Sequence, residues 1–167
     1  RLQPVLMGEL DPTQVAAIAE ALTRAADQRL CVILDLHNYG GYRDRPIGSD
    51  EVPEAAFIDL WQRVAQRFPD ESRLALGLMN EPKNLPVSRW AGLAQATVTA
   101  LRQAGSHHLI LVAGGGWSGV HSWFKAAAGD VSNAQALAGL ADPLGRTVLE
   151  AHQYADFDSS GTHTDCR

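Results

Sequence analysis

Four short, almost uninterrupted apolar runs constrain the fold of this chain more than any other feature. They cover residues 30–36, 74–79, 109–113 and 147–151, and their starts lie roughly 35 to 45 residues apart. Runs of this kind are typical of parallel strands that are covered on both faces. Segments with helical periodicity fill the gaps between the runs. The sequence therefore predicts repeated βα units and an α/β fold.

Three amphipathic helices are predicted between these strands. The run Asp11-Pro12-Thr13-Gln14 has the pattern of a helix start, with Asp11 as the N-cap. Pro53 is expected to open a second helix. A third is predicted from about residue 88 to 104, with Gly105 just past its end. The aromatic and aliphatic side chains at helical spacing in these segments are expected to form the core.

Composition excludes several classes of protein. The chain has 167 residues, 46% of them hydrophobic, and a net charge of −5, which argues against nucleic acid as a partner. No apolar run approaches the ~20 residues of a membrane span. Cys31 lies inside the first apolar run and is expected to be buried, whereas Cys166 lies in a polar segment. Two cysteines leave both their pairing and the compartment open.

Four strands and three helices make half of an eight-stranded barrel. An open half would expose two unpaired strand edges and much apolar surface. We therefore expect residues 1–167 to form a single partial domain that belongs to a larger barrel.

Polar side chains follow the apolar runs. They are Asp35, His37, Asn38 and Tyr39 after the first run, Asn80 and Glu81 after the second, Trp117 after the third, and Glu150, His152, Gln153 and Tyr154 at the end of the fourth. Parallel strands place such ends at one edge of a sheet, where α/β barrels hold their catalytic groups. The sequence therefore predicts a functional site at this edge.

The residue types at this edge favour one chemistry over others. His37, His152 and Glu81 could ligate a metal, but their spacing matches no short zinc motif. The chain has no Gly-x-Ser-x-Gly elbow, and the glycines at 114–116 lack the dinucleotide-binding pattern. A carboxylic acid flanked by Asn, His and Tyr, with aromatic rings nearby, suits the cleavage of sugars.

Five stretches together resemble the endo-β-1,4-glucanases (cellulases) of glycoside hydrolase family 5. They are Arg-Leu-Gln-Pro at 1–4, Val-Ile-Leu-Asp-Leu-His-Asn-Tyr-Gly-Gly-Tyr at 32–42, Gly-Leu-Met-Asn-Glu-Pro at 77–82, Trp-Ser-Gly-Val-His-Ser-Trp at 117–123, and Glu-Ala-His-Gln-Tyr-Ala-Asp at 150–156 with the Ser-Gly-Thr-His-Thr-Asp-Cys that follows. The resemblance covers essentially the whole chain. It implies a (β/α)8 TIM barrel, of which this chain would supply about half, roughly strands 3 to 6.

The resemblance also implies a role for each residue of the site. Glu81 matches the general acid/base of a retaining double displacement, and Asn80 the residue that contacts the sugar 2-hydroxyl. His37 matches a substrate-contacting histidine, and His152 and Tyr154 the pair that flanks the acid/base and the nucleophile. Asn38, Tyr39 and Trp117 are expected to line the glucan cleft.

In the family that the chain resembles, the nucleophile is a Glu on the seventh strand. It is expected to lie outside this chain, so the 167-residue chain is expected to be inactive alone. Glu150 is not expected to replace it. The predicted substrate is cellulose or a related β-glucan, hydrolysed at internal bonds by a secreted endoglucanase, a monomer at full length, that needs no metal or organic cofactor. A mannanase or other β-glycanase of the same family, and a non-catalytic carbohydrate-binding fragment, are the alternatives.

Overall fold

The computed structural model describes residues 8–70 and 72–166. The Arg-Leu-Gln-Pro segment at 1–4 lies outside the described residues. Within the described part, the helices and strands occur in the following order: α1 (Pro12–Asp27), β1 (Val32–Asp35), β2 (Gly41–Tyr42), β3 (Arg45–Pro46), α2 (Glu54–Arg67), β4 (Leu74–Gly77), α3 (Val87–Gln103), β5 (Leu109–Ala113), α4 (Asn133–Leu137) and β6 (Thr147–Glu150).

The four predicted strands form one parallel sheet in the described residues. Its order is β1-β4-β5-β6, so each strand after the first is added on the same side of its predecessor. In the register, Asp35 pairs with Gly77 and Ala113 pairs with Glu150. The carboxyl ends of all four strands therefore lie along one edge of the sheet, as predicted.

The three predicted helices are confirmed with their boundaries shifted by a residue or two. Asp11 caps α1 through its side chain, which accepts hydrogen bonds from the backbone N–H groups of Thr13 at 2.9 Å and Gln14 at 3.3 Å. Helix α2 follows Pro53, and α3 is followed by Gly105, whose φ of +82° suits a residue without a β-carbon.

Two tryptophans attach the helices to the strand ends. The indole N–H of Trp61 on α2 donates to the carbonyl of Leu78 at 3.1 Å, and that of Trp90 on α3 donates to Ala113 at 2.6 Å. Both rings are buried in the core. Because a buried N–H requires a partner, these bonds hold the ends of β4 and β5 against the helix layer.

The prediction that the four apolar runs are buried on both faces is correct in full for β4 and in part for β5, whose Leu109 and Leu111 are half-buried. All residues of β4 are buried, but Ile33 on β1 and Val148 and Leu149 on β6 are exposed. The reason is position: in the described residues, β1 and β6 are the two edges of the sheet. The expectation that Cys31 is buried is wrong, since it precedes edge strand β1 and is exposed.

Three elements were not predicted. Strands β2 and β3 form a two-stranded antiparallel hairpin after β1, and α4 follows the glycine-rich segment after β5. They are shorter than the windows in which periodicity can be recognised.

None of the described helices has the length and apolar character that crossing a bilayer requires.

Candidate active site

The end of β4 presents Asn80 and Glu81 at the centre of the carboxyl edge. Both are buried, each with 8% of its surface exposed. The backbone N–H of Asn80 donates to the carbonyl of Leu36 at 2.9 Å, which continues the β1–β4 pairing up to the site. Glu81 then has a φ of +44°, and Pro82 follows. The chain therefore turns sharply at the acidic residue itself.

The end of β6 brings His152 to Glu81. The imidazole Nδ1 lies 2.7 Å from Glu81 Oε1, and Nε2 lies 2.7 Å from Glu150 Oε1. The Tyr154 hydroxyl donates to the same Glu81 oxygen at 3.4 Å. Three residues predicted to act together, Glu81, His152 and Tyr154, are thus in contact although 71 to 73 positions separate them in the chain.

The end of β1 brings His37 to Asn80 in a similar way. The Asn80 amide nitrogen lies 3.2 Å from His37 Nε2, and His37 Nδ1 lies 3.0 Å from Asp35 Oδ2. An amide nitrogen can only donate, so Nε2 accepts and the proton of the neutral ring is on Nδ1, from which it is donated to Asp35. Two residues predicted separately for the site, His37 and Asn80, are therefore brought together.

The electrostatic surroundings shift three pKa values at this edge. Burial raises the pKa of Asp35 despite its hydrogen bond with His37. Burial acts to lower the pKa of His152, but its hydrogen bonds to Glu150 and Glu81 outweigh this effect and the net shift is upward. The charge of Glu81 raises the pKa of Tyr154, with burial adding to the shift, so the phenol keeps its proton and remains a donor.

Aromatic rings continue the site along one side. Tyr39 lies edge-on to His37 with 5.3 Å between ring centroids, and 5.9 Å from the ring of Trp117. The Lys83 ammonium lies 3.8 Å from the centroid of Trp117 and 5.4 Å from that of Tyr39. Trp117 remains 48% exposed, so part of its ring is free to contact a ligand.

Two depressions flank these rings. One, of about 490 Å³, is lined by Glu81, His152, Tyr154 and Trp117, together with residues of the loop that follows β6. The other, of about 800 Å³, is lined by His37, Asn38, Tyr39 and Lys83, together with the β2–β3 hairpin. Seven of the eight residues predicted for the site line one of these two depressions, and the eighth, Asn80, contacts His37.

Sequence reasoning did not single out Ser118 and Lys83. The buried Ser118 hydroxyl accepts from the N–H of Gly114 at 2.8 Å and donates to the carbonyl of Glu150 at 2.7 Å. Its own carbonyl accepts from the N–H of His152 at 2.8 Å. The sequence signal that could have indicated them is their position: Ser118 follows Trp117, and Lys83 follows the Asn-Glu-Pro turn.

The loop after β6 supports Tyr154. Gly161 has a φ of +73°, and a β-carbon there would lie 2.5 Å from the Tyr154 ring. The buried Asp156 Oδ2 accepts from the backbone N–H groups of Thr162 at 3.0 Å and His163 at 3.2 Å. Burial acts to raise the pKa of Asp156, but the surrounding donors lower it to about 2.

One group of metal-ligating side chains is present in residues 8–70 and 72–166. Asp156, Asp158 and His163 each offer a ligand atom, and these atoms lie within 4.8 Å of one another. The Asp156 carboxylate already holds the loop backbone. The group lies beside the Glu81 site, since Asp158 lines the same depression.

The motifs at this edge have counterparts in a known family. The profile of the family described as cellulase (glycosyl hydrolase family 5) matches residues 2–167. The chain belongs to glycosyl hydrolase family 5. The resemblance inferred from the motifs is therefore confirmed, and so is the assignment to the (β/α)8 barrel fold.

Relatives of this family 5 chain include solved and characterised proteins. The crystal structure of the endo-β-1,4-glucanase Xac0029 from Xanthomonas axonopodis pv. citri superposes with a TM-score of 0.93 at 47% identity, covering 99% of this chain and 52% of that one. XacCel5A, solved in complex with cellopentaose, gives 0.93 at 45% identity, with 99% and 53% covered.

A curated relative, the manganese dependent endoglucanase Eg5A of Phanerodontia chrysosporium, is 32% identical over 99% of this chain and 43% of its own length. The chain therefore spans about half the length of the relatives it matches, which agrees with a sheet that forms part of a barrel.

Proposed function

We propose that this family 5 chain is the acid/base half of a retaining endo-β-1,4-glucanase, in which Glu81 is the general acid/base. The observation that carries the proposal is the contact set of Glu81. A buried carboxyl accepts from Tyr154, contacts His152, and faces a depression that also holds Trp117. A general acid needs neighbours that hold its carboxyl in place, and it needs access to the bond whose cleavage it assists.

The geometry supports distinct roles for the neighbours. Protonated Glu81 gives its proton to the leaving glycosidic oxygen and, once ionised, takes a proton from the incoming water. Asn80 is held by the contact of its amide nitrogen with His37, so its amide oxygen is available to a sugar hydroxyl. Trp117 and Tyr39 offer ring faces to the apolar faces of pyranose rings, and His37 and Asn38 offer polar groups to their hydroxyls.

A retaining reaction also needs a nucleophilic carboxylate about 5 to 5.5 Å from the acid/base. Glu150 is a poor candidate, because its Oε1 contacts Nε2 of His152, on the opposite side of that ring from Glu81. We therefore propose that the nucleophile is contributed by sequence outside this chain. The half-length match to the solved endoglucanases supports this proposal.

The proposed substrate is a β-1,4-glucan, supported by the cellopentaose complex of XacCel5A at 45% identity. Because a polymer of this kind lies outside cells, we propose that the parent enzyme is secreted. We further propose that it acts as a monomer and that residues 1–167 form a single partial catalytic domain. Proton transfer and carboxylate attack need no metal or organic cofactor.

The test joins this chain to the remaining half of the Xac0029 barrel and measures release of reducing ends from carboxymethyl cellulose. We expect hydrolysis by the joined protein and none by the 167-residue chain alone. Glu81→Gln should reduce the rate by at least about 100-fold, because general acid–base catalysis contributes about 10² to 10⁴. Glu20→Gln, at an exposed carboxylate in the middle of α1, is the matched control.

Other results would select other functions. Faster hydrolysis of mannan than of cellulose substrates would indicate a mannanase. Binding of cellopentaose that survives Glu81→Ala, without product from any joined protein, would indicate a carbohydrate-binding fragment. Parallel assays with EDTA and with added Mn²⁺ test metal independence, and loss of activity in EDTA would contradict it.

A further inference from the structure

His152 lies between two carboxylates, one on each side of its ring. Glu81 Oε1 and Glu150 Oε1 both lie 2.7 Å from a ring nitrogen, a distance at which each pair must share a proton. Glu150 is the last residue of β6 and His152 follows it by two residues in an isolated parallel bridge to Gly119, so the extended chain places both side chains on one face. The Glu150 carboxylate contacts His152 and is linked to Glu81 through the imidazole.

Proton counting limits the states of this trio. A neutral imidazole carries one N–H, so it can donate to only one of the two carboxylates and must accept from the other. If ionised Glu150 receives the Nε2 proton, then Nδ1 is an acceptor and Glu81 is the protonated partner. If the ring is an imidazolium, both carboxylates are ionised. The trio carries a net charge of −1 in either state. The two states differ only in whether one proton is on Oε1 of Glu81 or on Nδ1 of His152.

The backbone around His152 keeps the ring in this position. The N–H of His152 donates to the carbonyl of Ser118 at 2.8 Å, and its carbonyl accepts from Val120 at 2.9 Å. The carbonyl of Glu150 accepts from the Ser118 hydroxyl at 2.7 Å. The strand end is therefore fixed on both sides of the histidine, and the ring can bridge the two carboxylates without rearrangement.

We propose that Glu150 is a positioning residue that holds the Nε2–H of His152, so that Nδ1 faces Glu81 and one proton is shared between Glu81 and His152. The inference rests on the proposed acid/base role of Glu81 for its catalytic meaning. In that role, the resting site keeps the shared proton between His152 and Glu81; Glu81 then passes it to the leaving oxygen, and the attacking water restores it. A carboxylate two residues before a histidine and in contact with its ring occurs twice at this edge, although Asp35 contacts Nδ1 of His37 and Glu150 contacts Nε2 of His152.

Several charged or titratable groups face this trio. Asp35 and His37 approach from β1, Tyr154 contacts Glu81, and His121 and Asp158 line the same depression. Of these, Tyr154 touches the trio directly, through Glu81. The upward shift of the His152 pKa, which the two carboxylates produce against the effect of burial, agrees with a ring held between them.

The test is an NMR titration of the 15N-labelled 167-residue chain, without substrate, which reads the tautomer and the pKa of each histidine. In the unsubstituted chain we expect neutral His152 to carry its proton on Nε2. Glu150→Gln removes the charge but keeps an acceptor, so the pKa of His152 should fall by about one unit while the tautomer stays. Glu150→Met removes both the charge and the hydrogen-bond acceptor. The neutral His152 should then change to the tautomer with its proton on Nδ1, which donates to Glu81.

Asp35→Asn is the matched control, because it removes the equivalent carboxylate from His37 and should change the His152 titration much less. A neutral His152 protonated on Nδ1 in the unsubstituted chain would overturn the proposal, as would an unchanged pKa in Glu150→Gln. If Glu150→Met does not fold, as seen from the amide spectrum, Glu150→Gln decides alone. These measurements need no turnover, so a failure of the proposed function would show separately as a joined barrel without activity.

Discussion

At the scale of residues, the site depends on backbone conformations that L-residues rarely adopt. Tyr39, Glu81, Trp117 and Ser118 have φ values of +55°, +44°, +69° and +55°. Each such conformation costs about 1 to 3 kcal/mol and persists only where the surroundings enforce it. Here the surrounding contacts are backbone bonds between loops, such as the N–H of Lys83 to the carbonyl of Tyr39 at 3.2 Å. The rings and the carboxyl are therefore aimed by the loops as well as by the strands.

Lys83 is expected to hold the Trp117 ring in place through its cation–π contact. Lys83→Met keeps an apolar chain of similar length but removes the charge, and the coupling between Lys83 and Trp117 should be about 0.5 to 1 kcal/mol. A double-mutant cycle with Trp117→Ala, read from the free energy of unfolding in urea, measures it. Lys83→Arg, which keeps a cation, is the control. A coupling near zero would show that the contact of 3.8 Å is incidental.

At the scale of elements, the site is aligned by ties between helices and strand ends. Trp61 and Trp90 hold β4 and β5, and Arg102 on α3 secures the chain just before β6. The Arg102 guanidinium contacts both oxygens of Asp142, each at 2.9 Å, and both side chains are only 4% exposed. A two-point contact of this kind fixes the orientation as well as the distance. The position of His152 thus depends on a buried ion pair at the other end of its strand.

Asp142→Asn should lower the free energy of unfolding by about 3 kcal/mol, because it leaves the buried Arg102 charge without its counter-charge. The Arg102 contact holds the pKa of Asp142 well below its ordinary value of 3.8. A group whose folded pKa is depressed stabilises the fold above its unfolded pKa and loses that stabilisation as pH falls.

The difference in unfolding free energy between the unsubstituted chain and Asp142→Asn should therefore be largest at neutral pH and shrink below about pH 4. Urea unfolding at several pH values measures it. The exposed pair of Arg24 and Glu20 supplies the control, and Glu20→Gln should cost less than about 1 kcal/mol. A difference that does not change with pH would contradict the assigned cause.

At the scale of the whole molecule, the described sheet has two exposed edges. Ile33, Val148 and Leu149 on these edges have 56%, 45% and 49% of their surface exposed. Edge strands with apolar side chains pair readily with other chains. In a closed barrel, neighbouring strands would lie along both edges.

We therefore expect the purified 167-residue chain to self-associate as its concentration rises, measured by light scattering after size-exclusion chromatography. Val148→Lys should shift the distribution toward the monomer, because a charge on the edge opposes pairing. Phe124→Lys, at a loop residue that is 83% exposed, is the matched control. An equal effect of both substitutions would indicate general surface hydrophobicity rather than strand edges.

Local pattern was sufficient for much of this protein. The four strands, α1 to α3 and their caps could be predicted because apolar periodicity and capping residues act over a few neighbouring positions. The order of polar residues at the strand ends was visible for the same reason, and it carried the family resemblance. The β2–β3 hairpin and α4 were missed because a few residues hold too little periodic signal.

Only the tertiary structure decided which of these polar residues meet. Glu81 contacts His152 because β4 and β6 are placed two strands apart in one parallel sheet, a relation that no local pattern contains. Contacts between distant segments also decide the exposure of Cys31 and of the edge side chains. They likewise place Lys83 over Trp117 and let His152 join Glu150 to Glu81. Sequence thus determined the elements and the chemistry that they carry, while packing determined their distances, because those depend on the register and neighbours of whole strands.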